Sequence, residues 1–320
     1  MNNEPTYREQ ILGELWGAVV GDALGVPVEF RSREEVQSDP VTGMRGFGTH
    51  QQPPGTWSDD SSLLISTVAS LLDGYDIEDI GQRFVRWFRD FEWCPHGEPF
   101  DIGVATSDAL LQIEHGTPAL EAGGTGEYSN GNGSLMRMLP VPLRFAHEEE
   151  VKLLKKTHDV SAITHAHCRS KMVCGQFSLI IRELLKGTDV DEAYRRSAIS
   201  AANHYGGTEW KSEFQILRHL LGGRIEELNE DQIESGGHVV DTLTASIWCL
   251  LCEDSYAGTV LRAVNLGSDT DTTGCVTGAL AGVAHGIDEI PGDWINALAR
   301  KDDLGELFER FADLLERERR

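Results

Sequence analysis

The stretch Leu266-Gly-Ser-Asp-Thr-Asp-Thr-Thr-Gly274 carries two carboxylates, Asp269 and Asp271, set among the hydroxyls of Ser268, Thr270, Thr272 and Thr273. A small-residue apolar run, Cys275 to Ala284, follows directly and reads as a tightly packed helix. Carboxylates and hydroxyls crowded at the start of a buried helix are costly unless they are paired or bound to something. A hard divalent cation resolves that cost, since Mg²⁺, Mn²⁺ and Ca²⁺ take carboxylate, hydroxyl and carbonyl oxygen. The competing explanation makes Ser268 or Asp269 a helix N-cap. A cap needs one residue, and this stretch supplies six polar ones.

Gly55-Thr-Trp-Ser-Asp-Asp-Ser-Ser62 has the same grammar, with Ser58, Asp59 and Asp60 ahead of the apolar run Leu63 to Leu72. Both acidic pairs open a helix, and they are expected to converge on one polynuclear metal site. Four further stretches look chemical. Gly21-Asp-Ala-Leu-Gly-Val-Pro-Val-Glu-Phe30 puts Glu29 at the end of a glycine-rich helix, and Phe100-Asp-Ile-Gly103 places Asp101 at a helix start. Gly131-Asn-Gly-Ser-Leu-Met-Arg-Met138 offers glycines and backbone N–H groups opening a helix, which suits an anion such as phosphate. Thr164-His-Ala-His-Cys168 sets His165 and His167 near a helix junction. Each has a plain structural explanation when taken singly: a solvated glutamate, a Gly-x-Gly turn, a hydrogen-bonded core histidine.

The elements that must position these residues read as helices. Ile11, Leu12, Leu15, Trp16, Val19, Val20 and Leu24 recur at three and four, a helix from Tyr7 to Leu24 in which Gly17, Gly21 and Gly25 permit close approach of another backbone. Arg31 to Pro54 reads as a long surface loop, and Asp76 as the cap of a helix through Ile80, Phe84, Trp87 and Phe91. Another helix follows Asp101 through Ile113, and the Gly-rich segment 116–133 reads as loop. Helices are expected near 134–145 (kinked by Pro140 and Pro142), 148–163, 168–186 and 189–204, then a looser region over 205–238. The last third gives helices near 241–253, 256–265, 271–285, 291–299 and 302–318, the final one solvated and mixed in charge through Arg320. Sustained period-2 alternation is missing. The expectation is an all-α fold, a single compact orthogonal bundle of about a dozen helices. Because the acidic motifs lie on opposite sides of every plausible cut, residues 1–320 read as one domain.

The chain has 320 residues, 52 acids against 28 bases and a formal charge of −24. Phosphate contacts need a basic footprint, so this balance argues against nucleic acid or an anionic membrane as partner. The segment Met1 to Gln10 is polar, and no apolar run is expected to reach the roughly 20 residues of a membrane span. Six cysteines (94, 168, 174, 249, 252 and 275) sit mostly in apolar helical runs and suit free thiols in a reducing compartment, hence a cytoplasmic location. Cys249-Leu-Leu-Cys252, a lone pair without a second, reads as core packing rather than a zinc or redox motif.

In order, Gly-Asp-Ala-Leu-Gly-x-Pro-x-Glu, Trp-Ser-Asp-Asp, Phe-Asp-Ile-Gly, Gly-Asn-Gly-Ser-x-Met-Arg, Thr-His and Gly-Ser-Asp-Thr-Asp-Thr-Thr-Gly resemble the ADP-ribosylglycohydrolase family. The resemblance covers roughly residues 11 to 290. It implies an all-α fold and a centre of two divalent cations, Mg²⁺ or Mn²⁺. By that resemblance the ligands are Ser58 (where the family usually has threonine), Asp59, Asp60, Asp269, Asp271 and Thr272. Glu29 matches the catalytic glutamate, and Asp101 a substrate-facing aspartate near the leaving group. Gly131, Asn132, Gly133 and Ser134 match the segment that receives the pyrophosphate, and His165 a histidine lining the ADP-ribose pocket; His167 has no counterpart.

The implied activity is hydrolysis of the N- or O-glycosidic bond between ADP-ribose and a target, with ADP-ribosyl-arginine on a protein as first choice. Serine-linked ADP-ribose, poly(ADP-ribose) and small molecules are the other substrates among relatives. A non-catalytic ADP-ribose-binding or structural member, as among lens crystallins, is the remaining alternative. The loops Gln51–Pro54, Trp93–Pro99 and Tyr205–Trp210 are expected to build the leaving-group side. Asp269-Thr-Asp-Thr-Thr273 also fits a phosphatase D-x-D-x-T pattern, but that motif belongs after an apolar strand in an α/β domain.

Overall fold

Two stripes of glycine set the geometry of the molecule, for which a computed structural model describes residues 4–207 and 210–319. The first long helix, Tyr7–Gly25, opens on a capping box in which Glu9 N–H donates to Thr6 Oγ1 and Thr6 N–H to Glu9 Oε2. Its glycines at 13, 17, 21 and 25 recur every four residues and so share one face. The helix Thr270–His285 carries Gly274, Gly278 and Gly282 at the same spacing. A Cβ on Gly13 would lie 2.1 Å from Gly282 O, on Gly17 2.3 Å from Gly278 O, and on Gly21 2.0 Å from Gly274 O. The numbers run in opposite senses, so the helices are antiparallel with backbones in direct contact. The end of the first helix therefore abuts the start of the second, and Thr270 Oγ1 donates to Gly25 O at 2.8 Å.

Around this pair the described residues form eighteen α-helices, eleven of them nine residues or longer, joined by short 3₁₀ turns. No strand occurs among them; only isolated bridges such as Gly131 with His238 are present. The all-α expectation holds, which removes the D-x-D-x-T phosphatase context. Helix edges fall close to the expected ones, and Asp76 caps Ile77–Asp90 by accepting from Glu78 and Asp79 N–H. The chain breaks at Leu139 into Leu135–Met138 and Pro140–Phe145, because Pro140 and Pro142 cannot extend a helix from within. The expected loops are shorter than read. Arg33–Ser38 is helical with Ser32 as its cap, and 116–133 and 205–238 contain the short helices Ala119–Ala122, Lys211–Ile216 and Arg218–Leu221. Thr208 and Glu209 of the expected Tyr205–Trp210 loop, and Arg320, lie outside the described residues.

Two expectations are corrected. The segment Tyr7–Val28 is long and apolar enough, by length and composition, to cross a membrane, its most apolar 18-residue stretch having a mean hydropathy of 1.4; here that stretch is buried within the fold. The final helix, Lys301–Arg319, is not simply solvated. Leu304, Leu307, Phe308, Phe311 and Leu315 are buried, and Phe308 meets Trp16 edge-on with ring centroids 5.2 Å apart. Buried apolar side chains from both ends of the chain thus belong to one contiguous core. All six cysteines are free; Cys249 is buried as core packing requires, whereas Cys252 is exposed and does not pack in the core.

Candidate functional site

The helix contact delivers Glu29, just past the 3₁₀ turn Val26–Val28, to the start of Thr270–His285. Phe30 N–H donates to Ser268 O and Ser268 N–H to Arg31 O, each at 2.7 Å, which fastens the two segments together. Phe30 (φ 62°), Ser268 (φ 67°) and Asp101 (φ 59°) all occupy the left-handed region, uncommon for residues with a Cβ and concentrated at functional sites. Asp269 stands at the N-cap position but makes no capping bond. Its Oδ2 instead accepts from Asn132 Nδ2 at 2.9 Å. Carboxylate oxygens of Glu29, Asp269 and Asp271 lie within 4.8 Å of one another.

The second acidic pair arrives on the helix Asp59–Asp73, whose cap Ser58 accepts from Asp60 N–H at 3.3 Å. Thr272 Oγ1 donates to Asp60 Oδ1 at 3.3 Å, so the two motifs touch. The convergence expected from sequence is present. Asp22, one turn before the end of the first helix, holds the pair in place: its carboxylate accepts from Ser58 N–H (2.9 Å), Ser61 N–H (3.1 Å) and Ser61 Oγ (2.5 Å).

Burial dominates the electrostatics. It pushes Asp22 up to about 7 despite its donors, and Glu29 up to about 7 despite the bond from His50. Asp59, Asp60 and Asp271 are raised well above the usual carboxylate range, by desolvation first and by neighbouring carboxylates second. Asp269 is raised by burial and partly relieved by Asn132. Asp60 Oδ2, Asp269 Oδ1 and Asp271 Oδ2 are buried without a hydrogen-bond partner among the described residues. Orphaned carboxylate oxygens facing a shared space, with hydroxyls beside them, form a donor set that fits hard divalent cations.

These acids open into a cavity of about 380 Å³. Glu29, Asp59, Asp60, Asp101, Asp269 and Thr272 line it together with Gly131, Asn132, Gly133, His165 and Gly237. Phe30, Val104 and Tyr128 stand exposed at its rim. A Cβ on Gly133 would meet His165 Cε1 at 3.0 Å and Thr106 Oγ1 at 3.1 Å, so the loop sits tightly on that histidine. His165 accepts or donates at Nδ1 with Thr164 Oγ1 at 2.7 Å, and burial lowers it to about 3, which keeps the ring neutral.

Three expected residues do not reach the cavity wall. Ser58 is occupied as a cap, Asp271 lies behind beside Glu29 and Asp269, and Ser134 turns into the core towards Ser161 Oγ (3.1 Å) and Cys174. Asp101 precedes its helix, Val104–Glu114, rather than starting it. The Asn132 N–H is taken by Gly237 O at 3.0 Å. His167 caps Cys168–Leu184 by accepting from Arg169 N–H, outside the cavity. The loops Gln51–Pro54 and Trp93–Pro99 do not line it either; Phe30 and the segment Asp101–Thr106 do.

Sequence reasoning missed Asp22 and His50. Asp22 stood inside the noted Gly-Asp-Ala-Leu-Gly stretch without a role, and His50 lay in a segment taken for surface loop. His50 Nε2 is hydrogen-bonded to Glu29 Oε2, and its ring sits between Phe30 (5.9 Å) and Phe100 (5.1 Å). The bond to Glu29 raises His50 above the ordinary histidine value.

Comparison with known proteins bears on this arrangement. The family model described as ADP-ribosylglycohydrolase matches residues 3–320. A Serratia proteamaculans protein named ADP-ribosylarginine hydrolase Tri1 is 30% identical over 312 residues, 96% of this chain and 80% of that protein. The ADP-ribosyl-[dinitrogen reductase] glycohydrolase of Rhodospirillum rubrum is 27% identical, covering 93% of this chain and 92% of its own length. A solved ADP-ribosylglycohydrolase-related protein complex superposes with a TM-score of 0.80 at 30% identity, covering 97% of this chain and 99% of the other. The chain belongs to the ADP-ribosylglycohydrolase family of glycosidic-bond hydrolases.

Proposed function

We propose that this chain, acting as one domain over residues 1–320 in the cytoplasm, is a divalent-cation-dependent hydrolase that releases ADP-ribose from ADP-ribosyl-arginine on a protein. The observation that carries the reading is the set of buried carboxylates, three with an oxygen unpartnered among the described residues, gathered at a cavity also lined by a glycine loop and a neutral histidine. The arginine linkage is supported by the named activity of the Serratia relative. Ser58, Asp59, Asp60, Asp269, Asp271 and Thr272 would hold two cations, Mg²⁺ or Mn²⁺. When bound, such a pair supplies Lewis acidity and a template for the ribose hydroxyls.

The protein's own groups do the rest. Glu29, at the cavity wall with its Oε2 hydrogen-bonded to His50, is placed to take and pass a proton between water and the scissile bond. Asp101 faces the leaving group and positions or protonates it. Cleavage at an anomeric carbon passes through an oxocarbenium-like state, which nearby carboxylates stabilise. Gly131 and Gly133, bare of side chains, let the pyrophosphate approach the backbone, while His165 packs on the nucleotide as an uncharged surface.

The test is release of free ADP-ribose from an arginine-ADP-ribosylated protein, with and without Mg²⁺ or Mn²⁺, beside a serine-linked substrate. Cation-dependent release from arginine is expected. Release from serine alone overturns the linkage. Tight ADP-ribose binding with no release from either marks a non-catalytic member. Independently of activity, Asp269→Ala is expected to lose bound metal by ICP-MS; wild-type metal content overturns the ligand assignment.

A further inference from the structure

The opposite end of the first helix gathers charge of the other sign. Tyr7 begins a helix of 19 residues, so it lies about 28 Å from the acidic site at ~1.5 Å per residue. Beside Tyr7 is a cavity of about 250 Å³ into which Arg144, Arg182, Lys186 and Arg319 converge, with Glu318 as the only carboxylate in its wall. It shares no residue with the acidic cavity. Four cations around one space stand out in a chain of charge −24.

Their partners do not account for them. Arg144 gives Nη2 to Glu318 Oε1 at 2.8 Å, which leaves its Nε and Nη1 buried without an acceptor among the described residues. Arg182 Nη1 is buried in the same condition. Lys186 is paired with Glu183, and Arg319 lies over the Tyr7 ring at 4.3 Å. A guanidinium N–H buried without an acceptor costs free energy, and its planar fork matches a phosphate oxygen pair. Ala146, Leu185, Leu315 and the Tyr7 ring give the wall an apolar part, with His147 completing the lining. A second cavity of about 430 Å³ shares Tyr7, Leu185, Lys186 and Arg319, so the space continues past the cations.

We propose that this groove is a second binding site, remote from the catalytic one, for an organic phosphate: the phosphate seated on Arg144 and Arg182, the organic body along Tyr7, Leu185 and Leu315. The proposal stands on the cationic cavity alone and is independent of the reaction assigned above.

The experiment titrates the full-length protein with AMP, ADP-ribose and inorganic phosphate by calorimetry, in wild type and in Asp269→Ala. Saturable AMP binding in both proteins is expected, weakened at least tenfold by Arg182→Gln. Because Arg144 also ties down the final helix through Glu318, the exposed Arg319→Gln serves as the second variant, with thermal melting to show that each protein is folded. AMP binding undiminished in both variants overturns the site. So does absence of saturable AMP binding in both proteins. Inorganic phosphate binding as tightly as AMP overturns the organic body.

Discussion

The two ends of the Tyr7–Gly25 helix make opposite use of buried charge. Among the described residues, carboxylate oxygens at the Glu29 end lack donors and guanidinium nitrogens at the Tyr7 end lack acceptors. The acidic end is built by direct backbone contact, with the glycine stripes forcing two helix termini together and Asp22 fixing a third. The basic end is assembled from side chains of the first helix, the segments around 144 and 182, and the last helix, with no comparable backbone register. The acidic end is therefore held by backbone contacts, as chemistry on a bond requires. The basic end has room to adapt, as recognition of an anion allows.

Four substitutions and one titration sharpen or break that contrast. The largest effect belongs to Glu29→Gln: turnover should fall by ~10²–10⁴-fold while ADP-ribose binding measured by calorimetry stays close to wild type. Unchanged turnover removes Glu29 from the mechanism. Asp22→Asn should follow with a loss of ~10–100-fold in metal affinity or activity, since it acts by orienting the Ser58–Ser61 helix start. Equal metal affinity in the two proteins would reduce Asp22 to ordinary packing.

Stability against pH comes next. Asp22 and Glu29 are pushed up to about 7, and Asp59, Asp60 and Asp271 are also raised, from unfolded values near ~4. The folded, cation-stripped protein thus holds more protons than the unfolded chain. Its stability from these groups is full below about pH 4 and is lost as pH climbs through about 7. The melting temperature of stripped protein should be lower at pH 8 than at pH 5.5, and added Mg²⁺ should raise it most at pH 8. A flat profile, or one that rises with pH, would falsify the burial of these acids in an unpaired state.

Gly21→Ala should destabilise by about 1–3 kcal/mol through overpacking against Gly274, read in denaturant melts. At the other end Arg182→Gln should move stability by less than ~0.5 kcal/mol, because its Nη1 has no hydrogen-bond partner among the described residues. A large loss there would mean the arginine is a structural strut and the contrast between the two ends is false.

Much of the acidic end was legible in the sequence. Carboxylates and hydroxyls clustered ahead of apolar runs carry a chemical signal in themselves, and Gly17, Gly21 and Gly25 stood on one face of a periodic helix. Periodicity tells which face is buried and says nothing of the partner. Asp22 works through backbone N–H groups of Ser58 and Ser61, donors that every residue possesses and that no pattern marks. His50 sits in an aperiodic segment, and the inward turn of Ser134 depends on Ser161 and Cys174, which are far away in sequence. The final helix looked solvated because its charges outnumber its apolar residues, though the latter share one face. The basic groove was illegible: residues 7, 144, 182, 186 and 319 each resemble the solvated end of an element.

The glycine contact also has a consequence for how the protein is made. Gly25 leaves the ribosome 245 residues before Thr270, whose hydroxyl bonds to it in the finished fold. At ~5–20 residues per second the wait is about 12–50 s. Throughout that interval the segment Tyr7–Val28, as apolar as a membrane span, has not met the helix that covers its glycine face. Synthesis rate and chaperone supply should therefore govern the yield of soluble protein more strongly than the stability of the completed molecule does.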